Sequence, residues 1–280
     1  MTASKIYGLI GYPLAHSLSP LMHNAAFSHL KIGAEYKLFS LKQEELEGFL
    51  KNASCANLAG LNVTIPFKEK VIAFLESISP EAKLIGAVNT IKISGNKLEG
   101  FNTDARGFFK SLTSDLNFSP QNKNIFILGA GGASRAVCVS LAKASPKKIV
   151  IFDIDQAKSE ALVNRLKENF EGVDILAAGS IERLGEEKFE LLVNTTPIGM
   201  KKDDPCIVKD ELINPDMLVY DLIYNPQKSA LLKLSLEKGA KISNGLGMLL
   251  YQGAAAFEIW TGLKAPVSVM RRALMKGAAK

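Results

Sequence analysis

The sequence predicts an α/β fold built on a doubly wound parallel sheet, and three observations carry that prediction. Ile125-Phe126-Ile127-Leu128 is a short apolar run, which reads as a buried strand. A glycine turn, Gly129-Ala130-Gly131-Gly132, follows at once, and the small and aliphatic residues from Ala133 to Leu141 read as a helix. A second apolar run, Lys148-Ile149-Val150-Ile151-Phe152, supplies the next strand. Strand, turn, helix and strand in this order form a βαβ unit, the repeating element of parallel sheets.

The turn has the pattern Gly129-x-Gly131-x-x-Ser134, with Ser where a third Gly usually stands. Its glycines permit a tight turn and close approach of a ligand to the backbone. The helix that starts there offers unpaired N–H groups and a positive dipole end, which suits a pyrophosphate. Asp153 lies 24 residues after Gly129, about where an acid meets a ribose hydroxyl. Together these features read as a dinucleotide site; the plain alternative is a βαβ turn that binds nothing.

Composition bounds the remaining classes. A chain of 280 residues suits one large or two ordinary domains, and 47% hydrophobic with 22% charged residues is the make-up of a soluble globular protein. No run reaches the length of a membrane span, and Gly8, Gly11 and Pro13 interrupt the apolar N-terminal stretch, so a cytoplasmic location with no membrane partner is expected. Cys55, Cys138 and Cys206 are odd in number and far apart, which reads as unpaired thiols rather than a disulfide framework or zinc site. His16, His23 and His29 have no metal-ligand spacing, so structural or surface roles are expected and no metal. Most of the net +6 charge comes from residues 251–280, with five basic side chains against one acidic. Lys264, Arg271, Arg272, Lys276 and Lys280 lack interleaved aromatics, so a solvated helix face is expected rather than a nucleic-acid surface. The modest positive field favours an anionic substrate.

Taken in order, Lys5–Ile10 reads as a strand. Ser19 is placed at a helix N-cap with Pro20 at the first helical position, and the helix runs on through Leu21–Leu30. Ser17 has no capping role to explain it and stands open between a loop hydroxyl and a substrate contact. Tyr36–Leu41 reads as a strand and Glu44–Lys51 as a helix. In Leu58–Lys68, alternation places Asn62 and Thr64 on one strand face, and Pro66 opens a helix to about Leu75 with Lys68 in its first turn. A helix N-terminus disfavours a cation, a setting that suits an acid/base lysine, although a solvated lysine like Lys70 is the plainer reading. Ala87–Ile93 and Lys97–Phe101 flank Ser94-Gly95-Asn96 as a hairpin. In Asn102-Thr103-Asp104, Thr103 or Asp104 either caps the next helix or faces a substrate. Polar Ser114–Asn124 is the clearest boundary. Beyond it, Ala157–Asn169 and Ser229–Lys238 read as helices, and Phe189–Asn194, Met217–Leu222 and Lys241-Ile242 as strands. Gln252, set among Ala, Leu and Gly, needs hydrogen-bond partners from backbone or ligand.

Ser17-Leu18-Ser19-Pro20-Leu21-Met22-His23-Asn24, Asn62-Val63-Thr64-Ile65-Pro66-Phe67-Lys68, Gly86-Ala87-Val88-Asn89-Thr90, Gly100-Phe101-Asn102-Thr103-Asp104, Gly129–Ala136, Asn194-Thr195-Thr196-Pro197-Ile198-Gly199-Met200, Asp221-Leu222-Ile223-Tyr224-Asn225-Pro226 and Gly245-Leu246-Gly247-Met248-Leu249 occur together and in order. With these motifs the chain resembles the shikimate dehydrogenase family over nearly its whole length. The resemblance implies two domains flanking a cleft: an α/β substrate domain, 1–107 completed by C-terminal helices 251–280, and a Rossmann-type dinucleotide domain, 108–250. It implies reversible hydride transfer between a nicotinamide cofactor and shikimate/3-dehydroshikimate, in aromatic amino-acid (chorismate) biosynthesis, by a monomer or homodimer. Lys68 paired with Asp104 would be the acid/base group; Ser17, Ser19, Thr64, Asn89, Asp104, Tyr224 and Gln252 would hold the substrate. Gly129, Ala130, Gly131, Gly132, Ala133, Asp153, Asp155, Thr195, Leu222 and Gly245 would hold the cofactor. The family default is NADP(H), whose 2′-phosphate is gripped by an Arg in an Asn-Arg-Thr segment. Here Asp153-Ile154-Asp155 stands instead, which leans toward NAD(H), with Lys158 as a possible counterweight. The alternatives are an NAD-dependent quinate/shikimate dehydrogenase, against which the Ser17/Ser19 pair speaks, and a non-catalytic sensor, against which Lys68 and Asp104 speak.

Overall fold

The computed structural model describes residues 4–53, 57–184, 187–201 and 203–279, so Cys55 and Lys280 lie outside the described residues. The chain divides into two compact units, Met1–Gly107 with Leu249–Lys280, and Phe108–Met248.

The first unit opens with β1 (Lys5–Gly11), α1 (Ser19–His29), β2 (Ala34–Ser40), α2 (Leu46–Lys51) and β3 (Leu58–Val63). β4 (Ser77–Ile78), α3 (Pro80–Ile85), β5 (Thr90–Ser94), β6 (Lys97–Phe101) and α4 (Asp104–Lys110) follow. Its sheet has the order β2-β1-β3-β5-β6-β4. β1 runs parallel to both β2 and β3, while β5 and β6 form an antiparallel hairpin in which Ser94 pairs with Lys97. Gly95 at φ +60° supplies the left-handed residue that a two-residue hairpin loop demands. Ile10, Leu61, Val63, Phe67, Val71 and Ile91 pack in one buried cluster with Leu46 and Leu50 of α2.

A second layer comes from α8 (Leu246–Thr261) and α9 (Val267–Ala278), and α9 packs against α1. Trp260 of α8 lies so close to Gly60 that a Cβ there would be 2.4 Å from the indole, and its Nε1 donates to the Ile91 carbonyl at 3.0 Å. Arg271 departs from the expected solvated face: it is half-buried, donates to the Tyr251 hydroxyl at 2.8 Å and stands over that ring. Lys264, Arg272 and Lys276 are exposed.

The second unit holds β7 (Asn124–Leu128), α5 (Gly132–Ala142), β8 (Lys148–Phe152), α6 (Gln156–Lys167), β9 (Asp174–Ala177), β10 (Leu191–Asn194), β11 (Leu218–Asp221), α7 (Ala230–Glu237) and β12 (Lys241–Ser243). The strands pair in parallel in the order β12-β11-β10-β7-β8-β9. The chain starts at the centre, winds outward through β8 and β9, then returns to β10 on the other side. This is the doubly wound order, with its switch point between β7 and β10. Helices cover such a sheet on both faces, so β10 and β11 are buried at every residue and read as apolar runs.

Three expectations are corrected. No α-helix begins at Pro66: Phe67 N–H donates to the Thr64 carbonyl at 2.9 Å, closing a turn around a cis Ile65–Pro66 peptide, and only a 3-10 segment, Lys70–Phe74, follows. An X-Pro pair serves a turn as readily as a helix start, and here the turn prevails. Ser19 is the first helical residue rather than the cap; the N-cap is Leu18, with no side-chain capping bond. The units meet at 107/108, inside α4, whereas the polar segment 114–124 lies wholly within the second unit. β9 escaped the sequence because an edge strand with alternating exposed and buried residues carries little apolar signal.

Phe189 is 1% exposed and stacks on Phe126 with centroids 5.4 Å apart. Phe189→Ala should lower the stability of the second unit by about 3–5 kcal/mol in urea titration.

Candidate active site

Lys68 sits in the turn after β3, its carbonyl accepting from Val88 N–H at 2.7 Å. Its Nζ donates to Asp104 Oδ2 at 2.6 Å, with 15% and 6% of the two side chains exposed. Asp104 is the first residue of α4 but spends neither carboxylate oxygen on capping. Asn102 Oδ1 takes that part, accepting from Asp104 N–H at 3.0 Å. The other oxygen, Oδ1, accepts from Asn89 Nδ2 at 2.8 Å.

Asn89 is the hub of a buried polar cluster. Its Nδ2 also faces Thr103 Oγ1 at 2.9 Å and Gln252 Oε1 at 3.4 Å. Its Oδ1 accepts from Thr103 N–H at 2.7 Å and Thr90 Oγ1 at 3.0 Å. Behind it, Asn62 Nδ2 donates to the Asn89 carbonyl at 3.2 Å and Thr90 Oγ1 at 3.1 Å, and Asn62 Oδ1 accepts from Tyr36 at 2.8 Å. Gln252 Nε2 finds its partner in the Leu249 carbonyl at 2.9 Å. Four of the sequence-selected residues, Lys68, Asn89, Asp104 and Gln252, are therefore joined by direct bonds. Asn62, which the alternation of β3 places on one face with Thr64, joins this network through Thr90, and it is the pairing of Asn62 opposite Thr90 in adjacent strands β3 and β5 that brings Thr90 in.

Ser17 and Ser19 meet each other rather than this cluster: Ser17 Oγ accepts from Ser19 N–H at 3.4 Å. Thr64 follows β3, half-buried, its N–H bonded to the Ile10 carbonyl at 2.9 Å. Tyr224 belongs to the second unit, half-buried in the loop after β11, where burial pushes its hydroxyl pKa up.

His23 is fully buried, stacked on Tyr36 at 4.4 Å and 5°, with neither ring nitrogen hydrogen-bonded. Burial lowers its pKa to about 3, so the ring is neutral. Cys138 is likewise buried, its thiol pushed up to about 12 by desolvation. Among the described residues no group of three His, Cys, Asp or Glu is placed to hold a metal ion.

In the second unit the glycine turn sits at the switch point. Gly129 adopts φ +98°, and a Cβ there would fall 2.6 Å from Thr195 Oγ1, so glycine is required twice over. Thr195 donates from N and Oγ1 to the Leu128 carbonyl, at 2.8 and 2.6 Å. Gly131 is the exposed N-cap of α5, Gly132 its first residue and Ala133 its second, and a Cβ on Gly131 would meet no atom of the chain within 4 Å. Asp153, just past β8, spans the turn: Oδ2 accepts from Ala130 N–H at 2.7 Å and Oδ1 from Asp155 N–H at 2.9 Å. Lys158 pairs with Asp155 at 3.3 Å. Gly245 is fixed by contact, since a Cβ would stand 1.9 Å from the Leu222 carbonyl oxygen.

A doubly wound sheet whose glycine turn opens at the switch point, in a chain that also holds a lysine–carboxylate pair on a polar network, defines the class of nucleotide-dependent oxidoreductases. Residues 9–91 match the family profile described as the shikimate dehydrogenase substrate binding domain, and residues 245–275 that of the shikimate 5'-dehydrogenase C-terminal domain. A shikimate dehydrogenase (NADP+) of Methanopyrus kandleri is 44% identical over 98% of this chain and 96% of its own. A solved shikimate dehydrogenase in complex with NADP+ superposes with a TM-score of 0.90 at 41% identity, covering 99% of this chain and 96% of that one. The Listeria monocytogenes enzyme, solved with shikimate and NAD, gives 0.87 at 33% identity over 98% and 97%. The chain belongs to the shikimate dehydrogenase family.

A neutral buried His23 makes stability depend on pH. Its folded pKa lies below the unfolded value near 6.5, so the unfolded state binds the extra proton. Stability is full above about pH 6.5 and falls as pH drops toward about 3, by up to ~1.4 kcal/mol per unit. His23→Phe should flatten that slope in urea titrations at pH 5 and 7.5.

Proposed function

We propose that this chain reduces 3-dehydroshikimate to shikimate, reversibly, with a nicotinamide dinucleotide. The observation that carries the reading is the Lys68–Asp104 bond at 2.6 Å, largely withdrawn from water and braced by Asn89. A bound nicotinamide ring would supply or accept the hydride at the carbon bearing the reacting oxygen. Lys68 Nζ gives a proton to the carbonyl oxygen in reduction and takes the hydroxyl proton in oxidation. Asp104 holds Nζ in one place through their 2.6 Å bond. Asn89 fixes Asp104, so the proton donor is oriented before substrate arrives. Asn89, Gln252, Thr64, Ser17 and Ser19 of the first unit supply hydroxyl and amide groups that suit a polyol carboxylate. The first unit is then the substrate domain and the second the dinucleotide domain.

The residues fit the dinucleotide. The open face above Gly131 admits a pyrophosphate against the backbone at the start of α5, between the ends of β7 and β10. Gly129, Gly132, Ala133 and Thr195 shape that mouth, while Leu222 and Gly245 line the neighbouring strand end. Lys68→Ala should lower kcat for shikimate oxidation by about 10²–10⁴-fold and leave KM within a few-fold. Equal losses in kcat and substrate affinity would remove Lys68 from proton transfer.

At the ribose 2′ position the chain carries Asp153, fixed by two N–H groups, and Asp155, which already engages Lys158. Carboxylates there repel a 2′-phosphate and accept bonds from a free hydroxyl. This reading assigns NAD(H) as the better cofactor, although the relatives above include enzymes named for NADP+. Comparison of kcat/KM for NAD and NADP, with shikimate and quinate as substrates, tests both assignments. A tenfold preference for NADP would overturn the cofactor assignment and leave the reaction standing.

A further inference from the structure

Asp221, the last residue of β11, is fully buried, and among the described residues the three donors that meet it are neutral. Its Oδ1 accepts from Asn194 Nδ2 and Ile223 N–H, each at 3.0 Å, and its Oδ2 from Ser229 Oγ at 2.5 Å. Burying a carboxylate without a cation is costly, and a leucine of similar size would pack there without that penalty. What the carboxylate does that leucine would not is join three separate pieces of backbone.

Asn194 ends β10 and continues the network. Its Oδ1 accepts from Thr196 N–H at 3.0 Å and Thr196 Oγ1 at 2.7 Å, and its Nδ2 also donates to the Ile198 carbonyl at 3.2 Å. Ser229 caps α7, accepting from Leu232 N–H at 3.3 Å. Gly199, at φ +109°, passes so near that a Cβ would lie 3.1 Å from Ser229 Cβ and 3.3 Å from Ile223. One line of bonds therefore runs from Ser229 through Asp221 and Asn194 to Thr196, tying the loop after β10 to the loop after β11. The first loop starts with Thr195, against the glycine turn; the second carries Tyr224.

We infer that Asp221 and Asn194 are positioning residues, which hold these two loops in register and so set Thr195 for the nucleotide. The inference rests on the dehydrogenase reading above. It accounts for a buried polar pair that takes no part in proton transfer. Asparagine at 221 keeps the link between the loops: its carbonyl oxygen accepts from Asn194 and Ile223, and its amide donates to Ser229 Oγ, which reverses the third bond. Leucine strands all three donors, and alanine at 194 cuts the line between the loops.

The test compares wild type with Asp221→Asn, Asp221→Leu and Asn194→Ala. Steady-state shikimate oxidation is measured with each substrate varied, together with the dissociation constant of the preferred nucleotide and the melting temperature. Asp221→Asn should keep both KM values within threefold. Asn194→Ala and Asp221→Leu should raise KM and the dissociation constant for the nucleotide by tenfold or more. If Asp221→Leu fails to fold, Asn194→Ala decides. An Asn194→Ala enzyme whose nucleotide KM and dissociation constant rise less than tenfold, whatever its melting temperature, overturns the proposal and leaves the pair a purely structural one. Wild type inactive on shikimate would sink the dehydrogenase reading instead; the nucleotide dissociation constants of wild type and Asn194→Ala would then still decide for or against the loop register.

Discussion

The arrangement depends most on how a cation and a carboxylate are kept together while largely withdrawn from water. Such a pair is stable only if its remaining lone pairs and protons are satisfied, and breaking it from one side leaves an uncompensated charge. Asn89 meets that condition for Asp104, and Asn89 is in turn held by Thr90, Thr103 and Asn62. These residues come from β3 and the turn after it, the segment entering β5 with its first residue, and the start of α4. The order β3-β5-β6 thus places Lys68 and Asp104 at one end of the sheet. The network explains why so many amide and hydroxyl side chains sit in the interior of a unit otherwise filled with Leu, Ile and Phe.

The second unit solves a different problem by similar means. A parallel sheet covered on both faces can offer chemistry only at its strand ends, where loops leave the apolar layer. Thr195, Asp153, Leu222 and Gly245 all lie at or just past the C-terminal ends of β7, β8, β10, β11 or β12. They are fastened by short contacts: Thr195 N–H and Oγ1 to the Leu128 carbonyl, the Asp153 carboxylate to Ala130 N–H, and the Gly245 backbone against Leu222. The glycine positions follow from these contacts as much as from any ligand. Gly129 and Gly245 are demanded by the chain itself, and Gly131 alone of the three points its missing side chain into open space.

Much of this was legible in the sequence where the signal is local. The β7–turn–α5–β8 segment combines an apolar run, glycines and a small-residue helix, and each of those features acts over a few residues. The hairpin at Gly95 was readable for the same reason. Lys68 was singled out through a helix that does not exist; its setting comes from a turn, and X-Pro alone does not separate the two. Asp104 stood between capping and chemistry because a carboxylate before a helix reads the same either way, and only Asn102 taking over the backbone bond resolves it. The Asn194–Asp221 link was out of reach, since those residues meet only because β10 and β11 are neighbours. The edge strand β9 and the two-residue β4 were too short or too polar to register.

Trp260 against Gly60 has a consequence for how the chain is made. The first unit is discontinuous: its sheet comes from the opening segment, yet the indole that covers Gly60 and bonds to Ile91 belongs to the closing one. On a ribosome, β1 to β6 therefore emerge with that face covered by α1, whose Phe27 and His23 stack on Tyr7 and Tyr36, but with Gly60 still uncovered. Phe108–Met248, by contrast, is contiguous and has its whole core in hand before α8 ends. Vectorial synthesis thus favours completion of the middle of the chain before its beginning. Until α8 emerges, the patch around Gly60 that awaits Trp260 is the surface most in need of shelter by a chaperone.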